Sequence, residues 1–357
     1  MEKVEKQEKK YLESYKAAGV DIAAGQQAVK LMKASAERTI VGPELNSRVL
    51  GAFEATNGLY DLTGLGSAPV MVTSTDAVGS KLKIAAMMDR HDTVGIDCVA
   101  MCVNDLLCCG ARPLVFTNYL SMSKLVPQQA DAIVAGVAEG CIQSGCALVG
   151  GKTAEMPDFY AAEQGSQYDL AGVAIGVVER TRRINGSGVR KGDVILGLAS
   201  SGIHANGYAL VRKVFDIENK GLDRFETVLG RPLGEVLMDP SRIYVKPILA
   251  LLEAVAVKSI CHVTKGGLYL NVPRSLPEGL TASISVAALK TQPVFHLLQR
   301  VGNIPQKDMF ATFNMGVGMT LTVAPEDVDE AMRILRAAGE KVSVIGEVVP
   351  GEEMILN

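Results

Sequence analysis

Hydrophobic positions in the first half of the chain repeat with spacings that change between those of strands and those of helices. A charged lead helix is predicted from Glu2 to about Ala17. A second helix is predicted from Asp21, with Ile22, Val29 and Met32 on its inward face. The following predicted strands are Val70 to Asp76, Pro113 to Leu120, Cys146 to Gly150 and Asp169 to Val178, and the predicted helices are Asp92 to Gly110 and Pro127 to Ser144.

The second half shows the same mixture of periods. Its predicted strands are Asp193 to Ala199, Met315 to Val323 and Val342 to Glu347, and its predicted helices start near Asn206, run from Pro240 to Val257, and run from Pro325 to Ala338 with Gly339 after the end. Between the halves, Glu179 to Gly188 is charged and contains glycine. We therefore expect two α/β domains, residues 1–180 and 181–357.

Composition excludes several classes of protein. Of 357 residues, 48% are hydrophobic and 21% charged, and the net charge of -3 argues against a disordered or polybasic chain. Nucleic acid is therefore not expected as a partner. The start of the chain lacks a signal-peptide pattern, and we find no apolar run of about 18 residues. The expectation is a cytoplasmic protein without membrane contact.

Seven cysteines, an odd number, lie mostly inside apolar runs. Cys98, Cys102, Cys108 and Cys109 lack the paired CxxC spacing of zinc sites. We therefore expect reduced thiols that pack in the core.

Candidate chemistry begins at the end of the first sheet strand, in Thr75-Asp76-Ala77-Val78-Gly79-Ser80-Lys81. A carboxylate beside a glycine turn can hold Mg²⁺ while a lysine reaches phosphate, although a plain aspartate turn explains the same residues. Asn104-Asp105 interrupts an otherwise apolar helix. A buried carboxylate needs a partner, and a metal, a ligand or another side chain would serve.

A polar loop is predicted at Gly150-Gly151-Lys152-Thr153-Ala154-Glu155-Met156-Pro157. Its Gly-Lys-Thr resembles a P-loop, but the glycine that the P-loop pattern requires is replaced by Cys146. A P-loop is therefore not expected here.

Three further segments of the second half place small polar residues beside apolar strands. Ser200 to Tyr208 leads from a strand into a helix, and such a helix start can bind phosphate, although a capped helix start with a solvent histidine is the alternative. His262-Val263-Thr264-Lys265-Gly266-Gly267 repeats the pattern of a strand followed by a glycine turn. Thr312 to Met319 fits close backbone packing as well as ligand contact.

In this order, the motifs resemble those of the phosphoribosylformylglycinamidine cyclo-ligases. The resemblance runs from about Tyr15 to Gly346, and its most specific parts are Tyr15 to Ile22, Met101 to Asp105, Thr153 to Pro157, Ser200 to Tyr208 and Phe313 to Gly318. It implies an amino-terminal α+β domain that dimerises through its sheet and a carboxy-terminal α/β domain. It also implies use of ATP and Mg²⁺ to close the imidazole ring of formylglycinamidine ribotide, with ATP bound between the domains near the dimer contact.

The resemblance also implies roles for individual residues. Catalysis is assigned to Asp76, Lys81, Asp105 and His204, with Asp76 and Asp105 as ligands of Mg²⁺. ATP or phosphate binding is assigned to Ser80, Asn104, Lys152, Thr153, Glu155, Thr264, Lys265, Gly266 and Gly267. Ribotide binding is assigned to Ser200, Ser201, Gly202, Asn206, Gly207 and Asn314.

Some positions depart from the family pattern. Lys152 stands where the family usually has glutamate, Lys265 where it has glycine, and Asn118 where it has aspartate. Lys152, together with Lys265, is expected to pair with Asp76 or Asp105 in the empty protein and to neutralise phosphate when nucleotide binds. The alternative for Lys152 is a solvent-facing lysine in a loop. The alternative functions are a paralogue that binds nucleotide without turnover and another ATP-dependent phosphoryl transfer on a small substrate.

Overall fold

The computed structural model describes residues 21–50, 58–160 and 167–357. The predicted lead helix from Glu2 to Ala17 and the side chain of Ile22 lie outside the described part. The first half contains the helices α1 (Ile22–Glu37), α2 (Gly42–Arg48), α3 (Lys81–Met87), α4 (Val94–Leu107) and α5 (Pro127–Ser144), and the strands β1 (Pro69–Ala77), β2 (Arg112–Met122), β3 (Ala147–Glu155) and β4 (Tyr168–Glu179).

The strands of the first half form a four-stranded sheet in the order β1-β4-β2-β3. The β1·β4 and β2·β4 pairs are antiparallel, and β3 joins β2 in parallel after the crossover helix α5. Exposure alternates along β1, as expected for a sheet with one covered face. The covered face packs against α4, whose residues are nearly all buried.

Two glycines allow α4 and α5 to approach closely. A Cβ on Gly95 would lie 2.2 Å from the backbone N of Val137, and one on Gly136 would lie 2.2 Å from the backbone O of Asp92. Any larger residue at either position would separate the helices and shift the face of α4 that carries polar groups.

The second half contains β5 (Val194–Ala199), α6 (Tyr208–Phe215), α7 (Ile217–Lys220), β6 (Phe225–Glu226), β7 (Arg231–Pro232), α8 (Leu233–Leu237), α9 (Val245–Leu252), β8 (Ser259–His262), α10 (Gly267–Arg274), β9 (Leu280–Ile284), α11 (Pro293–Gly302), α12 (Gln306–Thr312), β10 (Val317–Val323), α13 (Val328–Ala337), β11 (Val342–Pro350) and β12 (Ile355–Leu356). Six of these strands form a sheet in the order β12-β9-β11-β5-β10-β8. Strand β10 is buried along its whole length, and β8 lies at the edge.

The predicted α/β composition of both halves is confirmed, but three predictions about single elements are wrong. The polar loop predicted from Gly150 to Pro157 is strand as far as Glu155, because β3 stays paired with β2 up to that residue. Val29 of α1 is 36% exposed, whereas Met32 is buried as predicted. The helix predicted from Pro240 to Val257 is limited to Val245–Leu252. Residues before it, from Asp239 to Tyr244, are irregular because their backbone groups bond to distant side chains.

One hydrophobic core continues through both halves. Five cysteines are fully buried within it, which confirms core packing for them, while Cys108 and Cys109 are partly exposed. Burial raises the pKa of the Cys102 thiol to about 12. The division of the chain at residue 180 stays a prediction, although the two sheets lie on either side of it.

Candidate active site

Two predicted carboxylates meet at the end of the first sheet. Asp76 is near the end of β1 and Asp105 is near the end of α4, and each is partly exposed. His262, the last residue of β8, places Nδ1 2.7 Å from Oδ1 of Asp105. This histidine is buried, so the carboxylate fixes the orientation of the ring. The contact joins the edge of the second sheet to α4 of the first half.

The charges of this cluster act on Asp76. Burial raises the pKa of Asp76, and the nearby charge of Asp105 raises it further, whereas the hydrogen bond from the Ala77 N–H and the nearby His262 lower it. Two carboxylates close enough to interact electrostatically favour a cation between them. One or two carboxylates completed by substrate phosphates and water is the usual donor set for Mg²⁺, so Asp76 and Asp105 fit this ion. No cluster of three or more metal-ligating side chains exists among the described residues.

A cavity of about 470 Å³ lies beside this cluster, between the two halves. Asp105 and Cys108 line it from the first half, and His262, Thr264 and Arg274 line it from the second. Its walls therefore combine a carboxylate, an imidazole, a hydroxyl and a guanidinium. A polar cleft of this size can accommodate a small phosphorylated ligand.

Lys81 does not face this cleft. Its Nζ lies 2.7 Å from Oδ2 of Asp97, and both side chains are 0% exposed. The same ammonium donates to the backbone O of Asp239 at 2.7 Å and lies over the Tyr208 ring. A buried ion pair therefore neutralises the charge of Lys81 in this structure, and its predicted contact with ATP phosphates stays a prediction.

The loop from Ser200 to Gly207 is held by buried side chains. Oδ1 of Asn314 accepts from the Ser200 hydroxyl and from the Gly316 N–H, and Nδ2 of Asn314 donates to the backbone O of Gly202 and of Ile203. Asn314 is 3% exposed. Its amide therefore holds the loop and is not free for the predicted direct contact with ribotide.

His204 is also internal to this loop. Its Nε2 accepts from the Ser201 N–H at 3.2 Å and from the Arg242 N–H at 3.4 Å. Burial lowers the pKa of His204 well below its usual range, and the nearby His262, Lys81 and Arg242 lower it further. The ring is therefore neutral and 3% exposed, and its role as a phosphate ligand and catalytic group stays a prediction. The alternative of a solvent histidine is wrong, because the ring is buried.

The space for this ring depends on Gly318 in β10. A Cβ at this position would lie 2.1 Å from the Tyr244 hydroxyl and 2.5 Å from Cε1 of His204. The Tyr244 hydroxyl donates to the backbone O of Ala199 at the end of β5. Close packing therefore explains this glycine, and ligand contact is not needed.

Two family models match the chain. The one described as "AIR synthase related protein, N-terminal domain" matches residues 58–178, and the one described as "AIR synthase related protein, C-terminal domain" matches residues 190–357. The phosphoribosylformylglycinamidine cyclo-ligase of Alkaliphilus oremlandii is 48% identical over 345 residues, which is 96% of this chain and 99% of the relative. That of Brevibacillus brevis is 49% identical over 347 residues, 96% of this chain and 98% of the relative. The chain belongs to the phosphoribosylformylglycinamidine cyclo-ligase family.

Solved structures share the fold of this cyclo-ligase family member at low identity. Thiamine-monophosphate kinase from Stenotrophomonas maltophilia K279a superposes with a TM-score of 0.67 at 18% identity, over 91% of this chain and 94% of that chain. The hydrogenase maturation protein HypE in complex with ATP gives 0.62 at 17% identity, over 90% and 88%. These likenesses confirm the predicted two-domain architecture.

Lys152 lies on the outer face of the first sheet, which is the face opposite to the one that α4 covers. Asp76 pairs with Gly172, which pairs with Asn118, so these residues share one row across the sheet. Lys152 pairs with Tyr119 in the next row, and successive rows point to opposite faces. Lys152 is exposed and forms no ion pair within the described ranges. Its expected pairing with Asp76 or Asp105 in the empty protein is wrong.

Two other predicted site residues, Glu155 and Asn104, already use their side chains in hydrogen bonds to the backbone. Both carboxylate oxygens of Glu155 accept backbone N–H groups, from Asp21 at 2.6 Å and from Leu125 at 2.7 Å. Asn104 is buried with both amide atoms bonded to backbone, at Arg242 and Tyr244. In this structure these two side chains hold backbone groups, and their contact with phosphate stays a prediction.

The remaining candidates keep accessible surface. Exposed or partly exposed positions are Ser80, Thr153, Thr264, Lys265, Ser201, Asn206 and Gly207, whereas Ser200, Gly202, Gly266 and Gly267 are buried. A Cβ on Gly267 would lie 2.1 Å from the backbone O of Phe310, so packing accounts for the second glycine of this turn. Ligand contacts of the accessible group stay predictions. Lys265 forms no ion pair in the part of the chain described, so its expected pairing is also wrong.

Sequence reasoning missed Asp97 and His262 as site residues. Asp97 follows a helix start in an apolar run, and its only sequence signal was a second acid eight residues before Asp105. His262 was noted only as the first residue of a glycine-turn motif. Both side chains depend on partners in the other half of the chain, so local pattern carried little information about them.

Proposed function

We propose that this protein is an ATP-dependent cyclo-ligase that converts formylglycinamidine ribotide to aminoimidazole ribotide. The observation that carries the proposal is the pair Asp76 and Asp105 beside a polar cleft between two halves, in a chain 48% identical to cyclo-ligases over 96% of its length. In the proposed reaction, ATP phosphorylates the formyl oxygen of the substrate. The substrate's own nitrogen then attacks the former formyl carbon, and phosphate leaves as the ring closes.

Asp76 and Asp105 would hold Mg²⁺ together with the ATP phosphates. When bound, this ion would neutralise charge on the transferred phosphoryl group. The cavity beside Asp105 has a single unpaired guanidinium, Arg274, among its lining residues in the described ranges, and this group offers charge to an anionic ligand. Ser80 and Thr264 are accessible hydroxyls on the two halves and would donate to phosphate oxygens.

The ribotide phosphate would bind at the loop before α6. Ser201 is exposed and Asn206 partly exposed, while Asn314 fixes the backbone between them. The helix α6 begins at Tyr208, and its first backbone N–H groups favour an anion. A loop whose shape is set before binding lowers the entropic cost of positioning the substrate. Catalysis in this scheme depends on positioning and on charge neutralisation.

The protein would act as a homodimer through the outer face of the first sheet. This face exposes Met71 by 68%, Tyr119 by 44% and Val173 by 38%. A second cavity of about 350 Å³ on the same face is lined mainly by apolar residues, among them Leu114 and Ile175. An apolar sheet face of this kind is stabilised when a second copy covers it.

Among the described residues, none of the helices combines the length and the apolar character that a membrane span requires.

Ribotide-dependent ATP hydrolysis tests the proposed function. We expect phosphate release only when formylglycinamidine ribotide and Mg²⁺ are both present, and aminoimidazole ribotide as the product. Asp105→Asn should lower kcat by about 100-fold or more, the size of effect seen when one charge-stabilising group is removed. Asp329→Asn, an exposed acid on α13, is the matched control. ATP binding without ribotide-dependent turnover would instead support a nucleotide-binding paralogue.

A further inference from the structure

The irregular segment Asp239–Tyr244 joins the two halves at the candidate site, and we name it the bridging segment. At its two ends, the Asp239 N–H donates to the backbone O of Val236 and the backbone O of Tyr244 accepts from the N–H of Ile248, but the residues between lie in no helix or strand of the described structure. Buried backbone groups without a hydrogen bond are costly, so each must find another partner. In this segment, the partners are side chains from two other parts of the chain.

The first set of side chains comes from the first half. Lys81 donates to the backbone O of Asp239, and Oδ1 of Asp97 accepts both the N–H and the hydroxyl of Ser241, at 2.8 and 2.6 Å. Asn104 donates to the backbone O of Arg242 and accepts from the N–H of Tyr244, at 2.9 and 3.0 Å. Thus α3 and α4 hold the bridging segment at four of its residues.

The second set comes from the loop predicted to receive the ribotide. The Ser201 hydroxyl donates to the backbone O of Pro240 at 2.5 Å, and Nε2 of His204 accepts the Arg242 N–H. The loop and the helix α4 therefore bind the same short segment from two sides. A shift of the bridging segment relative to α4 would move the loop with it.

The geometry of this segment is strongly restricted. Asn104, Asp97 and Lys81 are fully buried, so a displaced group would lose its partner without gaining water. Because Asp105 follows Asn104 directly, the same turn of α4 carries the carboxylate proposed to hold Mg²⁺ and the amide that holds the segment. The two substrate regions of the proposed function are thereby placed relative to each other by one helix.

We propose that Asn104 is a positioning residue, which, with Asp97 and Ser241, sets the location of the Ser200–Gly207 loop relative to Asp105. The proposal rests on the assignment of the ribotide phosphate to this loop. In this proposal, Asn104 does not contact phosphate directly and instead acts by holding the bridging segment. None of the three side chains needs to touch substrate.

Two variants test this proposal. Asn104→Leu keeps the number and branching of the side-chain heavy atoms and removes both hydrogen bonds of the amide, and Ser241→Ala removes one hydroxyl and is the milder change. We expect KM for the ribotide to rise about tenfold in Asn104→Leu, equivalent to about 1.4 kcal/mol, with the Kd for ATP changed less than about twofold. Ser241→Ala should shift the same quantity in the same direction by a smaller factor. Asp193→Asn is the control, because it breaks the partly buried Lys258–Asp193 pair away from the segment.

Hydrogen exchange without ligands provides a readout that does not depend on activity. Backbone amides of residues 201–207 should exchange faster in Asn104→Leu than in the unmodified protein, while those of α5 should be unchanged. Equal exchange in the loop, or equal changes in ribotide KM and ATP Kd, would overturn the positioning role. Faster loop exchange in a protein without ribotide-dependent turnover would retain the positioning role and reject the proposed function.

Discussion

Replacing Lys81 by methionine isolates the charge of one buried ion pair. Methionine is of similar length and apolar, so the substitution leaves little cavity. Asp97 keeps the hydrogen bonds from Ser241 but loses the only cation within contact among the described residues. Because both side chains are 0% exposed, water cannot replace the ammonium without a structural change.

The expected loss of stability follows from this burial. Removing one partner of a buried pair costs about 3–5 kcal/mol, since the other charge stays in a poorly solvating interior. The backbone O of Asp239 also loses a donor, worth on the order of 1 kcal/mol. We expect the free energy of unfolding to fall by about 4 kcal/mol in total, a large part of the roughly 5–15 kcal/mol typical of folded proteins.

Urea denaturation followed by circular dichroism measures this loss. The double variant Lys81→Met with Asp97→Asn removes the unpaired charge, while the asparagine Oδ1 can still accept from Ser241, so it should recover at least half of the loss. Lys341→Met, at an exposed position, should change stability by less than about 0.5 kcal/mol. A double variant as unstable as Lys81→Met alone would show that unpaired charge is not the cause.

Other predictions concern packing, pH, metal dependence and assembly. Gly318→Ala should lower the free energy of unfolding by about 1–3 kcal/mol in urea, because the new methyl group would overlap Tyr244; unchanged stability would contradict this packing. Since burial lowers the pKa of His204, only the unfolded chain takes up a proton there below about pH 6.5. Stability should therefore fall with decreasing pH, by up to about 1.4 kcal/mol per pH unit for this group, and His204→Asn should remove that share of the slope. Lys152→Glu should leave the Mg²⁺ dependence of ATP affinity, measured by calorimetry, unchanged, because Lys152 lies on the sheet face opposite to Asp76; a stronger dependence would place this lysine at the nucleotide site. Analytical ultracentrifugation at micromolar concentration should show a dimer that Met71→Glu dissociates, and a monomer before substitution would reject the proposed interface.

Local signals were sufficient where an element satisfies its own backbone. Helix α5 begins at Pro127 and ends at Ser144 as predicted, because proline is favoured in the first turn and Gly145 adopts the left-handed conformation that ends the helix. The apolar face of this helix was predicted correctly from spacing alone, and its residues Ile133, Val134, Val137 and Cys141 are buried. The ends of this helix and its buried face depend on residues that are close in sequence, so they can be predicted from the sequence alone.

A helix predicted from hydrophobicity alone was wrong at its start, where tertiary contacts hold the backbone in another conformation. The run from Pro240 to Val257 is apolar enough for one helix, but the structure begins the helix only at Val245. Its first residues instead bond to Asp97 and Asn104, which lie 144 and 140 positions away from their partners Ser241 and Tyr244. No local window of sequence contains both ends of such a bond.

Some features of the candidate site could likewise be predicted from the sequence, and others depend on tertiary contacts. The sequence by itself determined the family, the α/β architecture and the candidacy of Asp76 and Asp105, because a carboxylate at a strand end or inside an apolar helix requires a partner. Only the tertiary structure decided that Lys81 and His204 are internal, since their partners come from distant segments and exclude water. A polar residue in the sequence shows that a partner is needed, whereas the identity of that partner depends on which segments the packed core brings together.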